Sequence, residues 1–447
     1  MQTTICALAT GNGGAVALVR LSGPEALSIL RRVTGREKPF EPRRQTFCTL
    51  YDGKDVLDKA LVTYFQAPYS FTGEDVVEFA LHASPYIKGR LLEIVCALGA
   101  VPAQRGEFSQ RAFLNGKMDL VEAQGLCDLI ASGNKASHKL AMDALGGRLS
   151  TCLNEIKDKL STLLAQIEVR LDDVDEEMTP LSEEFISSQI TAVVTQIQKL
   201  ADTFSVGKFI KDGIKVALIG APNSGKSSLL NALVGFDRAI VADTSGTTRD
   251  TVEEMLEING QKIILTDTAG IRSHAMDPAE QEGMRRSLRA MKDADMIVLV
   301  LDSTRPLTDE EKTLWADVQA QNKRFLVVQN KVDAARRRCP LEGATKALDI
   351  SCKTGEGLTE LKKFLTQETA QSVAADGLII SNLRHYESLL RAQTELDAAL
   401  IQLQAKRGGE IYAEHIRAAL LHLKDLIGEV TPDDVLGIIF STFCMGK

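Results

Sequence analysis

Four short stretches of this chain carry residue types at spacings that suit guanine-nucleotide chemistry. The first, Gly220-Ala-Pro-Asn-Ser-Gly-Lys-Ser227, matches G-x-x-x-x-G-K-[ST]. In such a loop the backbone N–H groups wrap phosphates, Lys226 reaches the β/γ oxygens and the Ser227 hydroxyl holds Mg²⁺. Asn223, Ser224, Gly225, Lys226, Ser227 and Ser228 are the residues offered to the phosphates. The second stretch is Asp267, Thr268, Ala269 and Gly270. An aspartate there can bind Mg²⁺ through water, and a glycine leaves its N–H free to approach a γ-phosphate. In the third, Asn330, Lys331, Val332 and Asp333, the Asp333 carboxylate can accept from the ring N–H and exocyclic amine of guanine. Adenine presents a mismatched edge, and a site built on such a pairing rejects the wrong base strongly. Ser351, Cys352 and Lys353 then close over the base. Between the first two stretches, Gly246-Thr-Thr-Arg-Asp250 can supply a hydroxyl to Mg²⁺, and Thr248 takes that role, with Thr247 beside it. Any one of these motifs is ordinarily just a loop. Four in working order are not.

The elements that must hold them are legible as apolar runs. Ile214–Ile219, Ile263–Thr266, Met296–Leu301, Phe325–Gln329 and Ala347–Ile350 read as strands, and Ser227–Val234 as a helix whose N-terminus faces the phosphates. The spacing predicts an α/β P-loop GTPase domain of the Ras-like type over 212–372.

Around it the pattern changes. No proline occurs between Pro102 and Pro180 or between Pro340 and Pro432. In the first gap Leu145, Leu149, Leu153, Ile156, Leu160, Leu163, Ile167 and Leu171 recur every three or four residues, one stripe on a long helix ended by acidic residues and Pro180. A second helical stretch runs from Glu183 to Phe204. Leu389, Leu396, Leu400 and Leu403 mark a third helix, and Ile416, Leu420, Leu423 and Ile427 a fourth. The economical solution is an α-helical bundle domain in two parts, 118–211 and 373–447, interrupted by the GTPase. Residues 1–117 read differently. Strands Ala15–Leu21, Ala60–Phe65 and Val76–Leu81 with a helix Tyr86–Leu98 make an α+β module.

Composition sets limits. The 447 residues carry a net charge of −8 and eight cysteines with no C-x-x-C pair, so reduced thiols and a cytoplasmic location are expected. No secretory leader and no run of 18 apolar residues is evident, so no membrane partner is expected. Residues 1–117 hold 14 basic and 11 acidic side chains, with clustered Arg31, Arg32, Arg36, Lys38, Arg43 and Arg44. Clusters of this size are ordinarily solvated faces, and charge alone does not argue for RNA.

The chain resembles, end to end, the MnmE (TrmE) family of bacterial tRNA-modification GTPases. The resemblance is carried by Val19-Arg-Leu-Ser-Gly23, Ser70-Phe-Thr-Gly-Glu-Asp-Val76, Gly106-Glu-Phe-Ser-Gln-Arg-Ala-Phe-Leu-Asn115, the GTPase motifs with Gly246-Thr-Thr-Arg-Asp250, and Cys444-Met-Gly-Lys447. It implies an N-terminal tetrahydrofolate-binding and dimerisation domain ahead of the interrupted helical domain. It also implies a role, with an MnmG-like flavoprotein, in placing a carboxymethylaminomethyl or aminomethyl group on carbon 5 of the wobble uridine of certain tRNAs. 5-Formyltetrahydrofolate or a related tetrahydrofolate would supply the one-carbon unit. By position, Arg20, Glu78, Lys117 and Lys447 would contact folate, and Cys444 would be a catalytic or positioning thiol. Ras-type enzymes orient the attacking water with a glutamine after D-x-x-G; here Ile271 stands there. The resemblance supplies K⁺ instead, held by Asn223, Thr247 and backbone carbonyls near Ala242 and Thr244, and completed by contact between two GTPase domains. Glu280 would position the water, with Glu282 as an alternative. Arg249 and Arg272 are the other charges in these loops. A ribosome-assembly GTPase is the competing class, and a folate-dependent transferase with idle GTP a third.

Overall fold

The computed structural model describes residues 3–11, 13–172, 179, 181–236, 238–239, 252–267, 288–334, 347–373, 377–443 and 446. The chain divides into two compact units. One comprises Met1–Cys127, Ala144–Val193 and Arg391–Lys447, the other Asp128–Asp143 and Val194–Leu390.

In the first unit, strands β1 (Ile5–Leu8), β2 (Val16–Ser22), β3 (Gln45–Asp52), β4 (Asp55–Phe65), β5 (Val76–His82) and β6 (Val101–Pro102) form a sheet in the order β3-β4-β5-β2-β1-β6. Alternation sorts its faces. Ala17, Val19 and Leu21 of β2, Val77, Phe79 and Leu81 of β5, and Val62 and Tyr64 of β4 point into one core. The helices Ala26–Thr34 and Pro85–Ala97 cover it with Ile29, Leu30, Val33, Leu91 and Val95. On the other face, Ile5 and Ala7 are covered by Phe108, Ala103 and Phe71. Further out on that face the cross-strand pair Phe47 and Leu61 is 65% and 42% exposed.

The expected strands and helix of this module are present. β4 begins five residues before the expected Ala60, because Asp58 and Lys59 interrupt the apolar signal. Inside the fold the Asp58 carboxylate is satisfied by the Lys59 and His82 backbone N–H groups and by His82 Nδ1, at 2.8–3.0 Å.

The leucine stripe is buried as expected from Leu149 to Ile167 on the helix Arg148–Leu171. Leu145 instead ends a separate helix, Lys135–Leu145. Gly147, at φ 75°, lies in the left-handed region and divides the two. The helix Gly409–Ile427 buries Ile416, Leu420 and Leu423 in the same unit. Ion pairs Lys157–Glu429 and Arg417–Glu168 tie these two helices across some 250 residues of sequence.

The expected helix Glu183–Phe204 stops at Ala201, and Phe204–Asp212, in the second unit, forms a further helix. The described strands there are β7 (Ile214–Ile219), β8 (Arg238–Ala239), β9 (Val252–Ile258), β10 (Gln261–Asp267), β11 (Met296–Asp302), β12 (Arg324–Asn330) and β13 (Ala347–Asp349). Their order is β13-β12-β11-β7-β10-β9-β8. β7 is parallel to β10 and β11, and β12 and β13 continue parallel, while β9 is antiparallel to β10. Leu229, Leu233, Leu361 and Leu365 pack on one face, and Met291, Leu314, Trp315 and Val318 on the other. Burial on both faces is why these strands read as unbroken apolar runs: all seven residues of β11 are buried. Strand order reverses at β7, and the crevice beyond the carboxyl ends at such a point is where α/β sheets bind ligands.

Candidate nucleotide and polar sites

The first loop leaves β7 at that point and enters the helix Lys226–Phe236. Its glycines are dictated by close approach. A Cβ on Gly220 would lie 2.3 Å from the Val300 carbonyl oxygen, and one on Gly225 would lie 2.1 Å from Asn330 Nδ2. Asn223 stands at the loop tip with φ 62° and an exposed side chain. Lys226 is buried, its ammonium donating to the Gly220 and Ala221 carbonyls at 2.6 and 2.9 Å. The Ser224 hydroxyl is fully buried and makes no hydrogen bond.

Asn330 is the hub. Its Nδ2 donates to the Ser224 carbonyl at 3.1 Å, and its Oδ1 accepts from the Lys331 and Cys352 backbone N–H groups at 2.8 and 3.4 Å. One buried amide thus joins the phosphate loop, the base-reading loop and the closing loop. Lys331, itself at φ 68°, donates through Nζ to the Asn223 carbonyl at 2.7 Å and to Asp302 at 2.6 Å. Asp333 accepts from the Ser351 hydroxyl at 2.7 Å, which fixes the orientation of its carboxylate. Burial pushes the Cys352 thiol up to about 11, so it is a neutral packing group here.

Two contributors were missed in the sequence. Asp302 ends β11 and anchors Lys331; burial alone would raise its carboxyl, but hydrogen bonds from Lys331 and Thr304 outweigh it and hold it below the usual carboxylate range. Ser303 donates to the Asn330 carbonyl through both its hydroxyl and its backbone N–H. A polar Asp-Ser-Thr step closing a wholly apolar strand was the available signal.

Asp267 is placed by its backbone at the end of β10. Ala242, Thr244, Thr247, Thr248, Arg249, Thr268, Ala269, Gly270, Ile271, Arg272, Glu280 and Glu282 lie outside the described residues, as do Cys444 and Lys447.

The first unit contains a second polar cluster. Register places Arg20 of β2 directly opposite Glu78 of β5, and Arg20 Nε and Nη2 meet Glu78 Oε1 at 2.9 and 2.7 Å. The guanidinium lies 5.5 Å from the Phe71 ring centroid and 5.7 Å from that of Phe108, and Nη1 donates to the Gly446 carbonyl at 3.2 Å. The pair is half-buried. Beside it, Ser22 donates to Glu74 at 2.6 Å, and Arg111 joins Glu74, Glu107 and the Thr3 carbonyl. Asn115 Nδ2 donates to the Thr72 carbonyl. Lys117 packs against Gly73, where a Cβ would come within 3.1 Å of its side chain. Three motifs far apart in sequence therefore converge on one surface.

Known proteins match the chain along nearly its whole length. The MnmE helical domain matches residues 120–444, and the N-terminus of GTP-binding protein TrmE matches residues 4–117. The tRNA modification GTPase MnmE of Alkalilimnicola ehrlichii is 41% identical over 454 residues, and that of Aquifex aeolicus 38% over 451, each alignment covering 100% of both chains. Among solved structures, the G domain of the T. maritima FeoB iron transporter aligns with 35% of this chain and 99% of its own, at 32% identity and a TM-score of 0.28. This chain is a GTP hydrolase and belongs to the MnmE (TrmE) family of tRNA modification GTPases.

Proposed function

We propose that GTP hydrolysis by this chain drives modification of the wobble uridine of certain tRNAs. An MnmG-like flavoprotein partner and a tetrahydrofolate such as 5-formyltetrahydrofolate take part, and carbon 5 receives a carboxymethylaminomethyl or aminomethyl group. The observation that carries the reading is Asn330, whose single amide holds the phosphate, base and closing loops together.

For the nucleotide, Lys226 and the loop N–H groups hold the phosphates, Asp333 reads guanine, and Ser227 with Thr248 holds Mg²⁺. Mg²⁺ would offset charge on the β- and γ-phosphates. Asn223 fits a K⁺ ligand: its side chain is exposed at the loop tip while its carbonyl is fixed by Lys331. K⁺, shared with Thr247 and the Ala242 and Thr244 carbonyls, would add a preorganised positive charge. Glu280 or Glu282 would position the water.

For folate, the half-buried Arg20–Glu78 pair on an aromatic floor fits a ligand that combines a flat ring with carboxylates. Lys117 and Lys447 would add charge, and folate would supply the one-carbon unit. Cys444 is the nearby thiol in sequence. The exposed Phe47 and Leu61 on the same sheet face support an N-terminal homodimer. Among the described residues no helix is long and apolar enough to cross a membrane, and a cytoplasmic location suits a tRNA substrate. The test is mass analysis of wobble uridines in tRNA from cells lacking this protein. Loss of the side chain at carbon 5 is expected; normal modification would refute the proposal.

A further inference from the structure

The last turn of the helix Ala26–Thr34 and the loop after it hold Arg31, Arg32, Arg36, Lys38, Arg43 and Arg44 against only Glu37 and Glu41. Several arginines elsewhere in this acidic protein are engaged: Arg20, Arg90, Arg111, Arg305 and Arg417 each hold a carboxylate. Among the described residues, Arg31, Arg32, Arg36 and Lys38 hold none. A helix C-terminus favours cations through its dipole, which accounts for Arg31 and Arg32 but not for the loop.

Two of the loop cations, Arg36 and Arg43, lie over aromatic rings. Arg36 lies 5.3 Å from the Phe40 centroid, and its buried Nε has no acceptor. Arg43 takes a left-handed φ of 62°, donates to the Tyr69 carbonyl at 3.1 Å and sits 5.6 Å from the Tyr69 centroid. Tyr69 is 69% exposed. Helix end and loop share one surface. The Arg43 N–H bonds the Tyr64 carbonyl, Arg31 lies within electrostatic reach of the Tyr64 phenol, and Gly35 faces the Tyr51 ring.

We propose that this surface docks the sugar–phosphate backbone of the tRNA substrate, with Tyr69 offering a face to an unstacked base. The inference rests on the tRNA reading given above. The unpaired guanidinium forks of Arg31 and Arg32 suit phosphate oxygens bidentately, and the exposed Tyr69 ring beside Arg43 suits a base. An acidic protein surface would use the charges but leave the rings without a role.

The experiment is tRNA binding by the full-length protein across a salt series, for the native chain, for the triple variant Arg31→Ala/Arg32→Ala/Lys38→Ala, for the same sites changed to lysine or arginine, and for Tyr69→Ala. Circular dichroism and the melting temperature of each variant report folding of this unit, and GTP turnover without tRNA should be unchanged, since none of these residues is in the nucleotide machinery. Expected for the alanine triple is about tenfold weaker binding and a log–log salt slope shallower by roughly 2–3, about one per lost phosphate contact. The charge-preserving variant should bind as the native chain does, and Tyr69→Ala should weaken binding with the slope unchanged. Unchanged affinity and slope in the alanine triple would overturn the proposal. So would unchanged tRNA binding with lost flavoprotein binding, which would assign the patch to an acidic protein. Failure of the native chain to bind tRNA at all would overturn the tRNA reading itself.

Discussion

The nucleotide site and the Arg20–Glu78 site are assembled by different rules. At the nucleotide site each contributor lies in a contiguous motif just beyond the end of a parallel strand, and parallel strands deliver all those ends to one edge. Asn330 then locks three loops with one side chain. The Arg20–Glu78 pair owes its existence to antiparallel register, which sets two residues 58 positions apart face to face, and to a chain end that arrives from 426 positions away. A site made of motifs tolerates shifts in the strands behind it. A site made by register does not, because a one-residue slip turns the side chain to the opposite face.

The largest test of this contrast is Asp333→Asn. Oδ1 can still accept from Ser351, so the loop should stand, but one acceptor facing the guanine amine becomes a donor. Nucleotide titration should show GTP affinity down by about 10²-fold or more and xanthosine triphosphate affinity up. An unchanged Michaelis constant for GTP would remove Asp333 from base reading.

Next is the cation. GTP turnover in KCl should exceed that in NaCl at equal ionic strength by about 10²-fold, and Asn223→Ala should abolish the difference. Equal rates in the native protein would return Arg249 or Arg272 to consideration.

A smaller effect is expected at the register-built site. Calorimetry with 5-formyltetrahydrofolate should give about tenfold weaker binding for Glu78→Gln, whose amide cannot match the carboxylate's charge-assisted bonds. The melting temperature should barely move, since a partly exposed ion pair adds only about 0–1 kcal/mol. Strong destabilisation with unchanged folate affinity would make the pair structural.

The smallest separates the units by pH. Burial, with Arg384 and Lys211 nearby, drives His385 down to about 3. Its folded pKa lies below the unfolded value, so the unfolded chain binds the extra proton. Stability is intact above about pH 6.5 and falls progressively as pH drops toward 3. In the first unit, burial of Asp58 is outweighed by bonds from His82 and Lys59, and its carboxyl is held below the usual range. That contribution is present above about pH 4 and is lost only below it. Mild acid should therefore loosen the nucleotide unit first, and His385→Leu should flatten its pH dependence in hydrogen exchange.

The same contrast explains what could be read in advance. The apolar runs at Ile214, Met296 and Phe325 announced buried parallel strands because both their faces are covered, and the motifs sat where such strands end. β1, β3 and the helix Glu107–Leu114 carried no comparable signal, β3 alternating exposed and buried positions over only eight residues; the helix Ala26–Thr34 went unread although Ala26, Ile29, Leu30 and Val33 follow helical spacing. Arg20 and Glu78 were nameable only through family resemblance, since nothing local predicts which strands will pair. Asp302 escaped notice because its function lies in holding Lys331, a contact invisible until β11 and β12 are laid side by side. Leu145 was placed on the wrong helix because periodicity continues across Gly147 while the backbone does not.

The Gly446 contact has a consequence for biosynthesis. Its backbone is pressed so close to β1 that a Cβ there would lie 2.4 Å from the Leu8 carbonyl oxygen. Gly106 likewise admits the Phe440 carbonyl, which a Cβ would meet at 2.3 Å. At about 5–20 residues per second on the ribosome, the 426 positions separating Arg20 from Gly446 correspond to roughly 20–85 s of synthesis. Arg20 is thus made well before the residue whose carbonyl it binds. A growing polypeptide that has not yet reached Gly446 therefore lacks the carbonyl that Arg20 Nη1 meets in the folded protein.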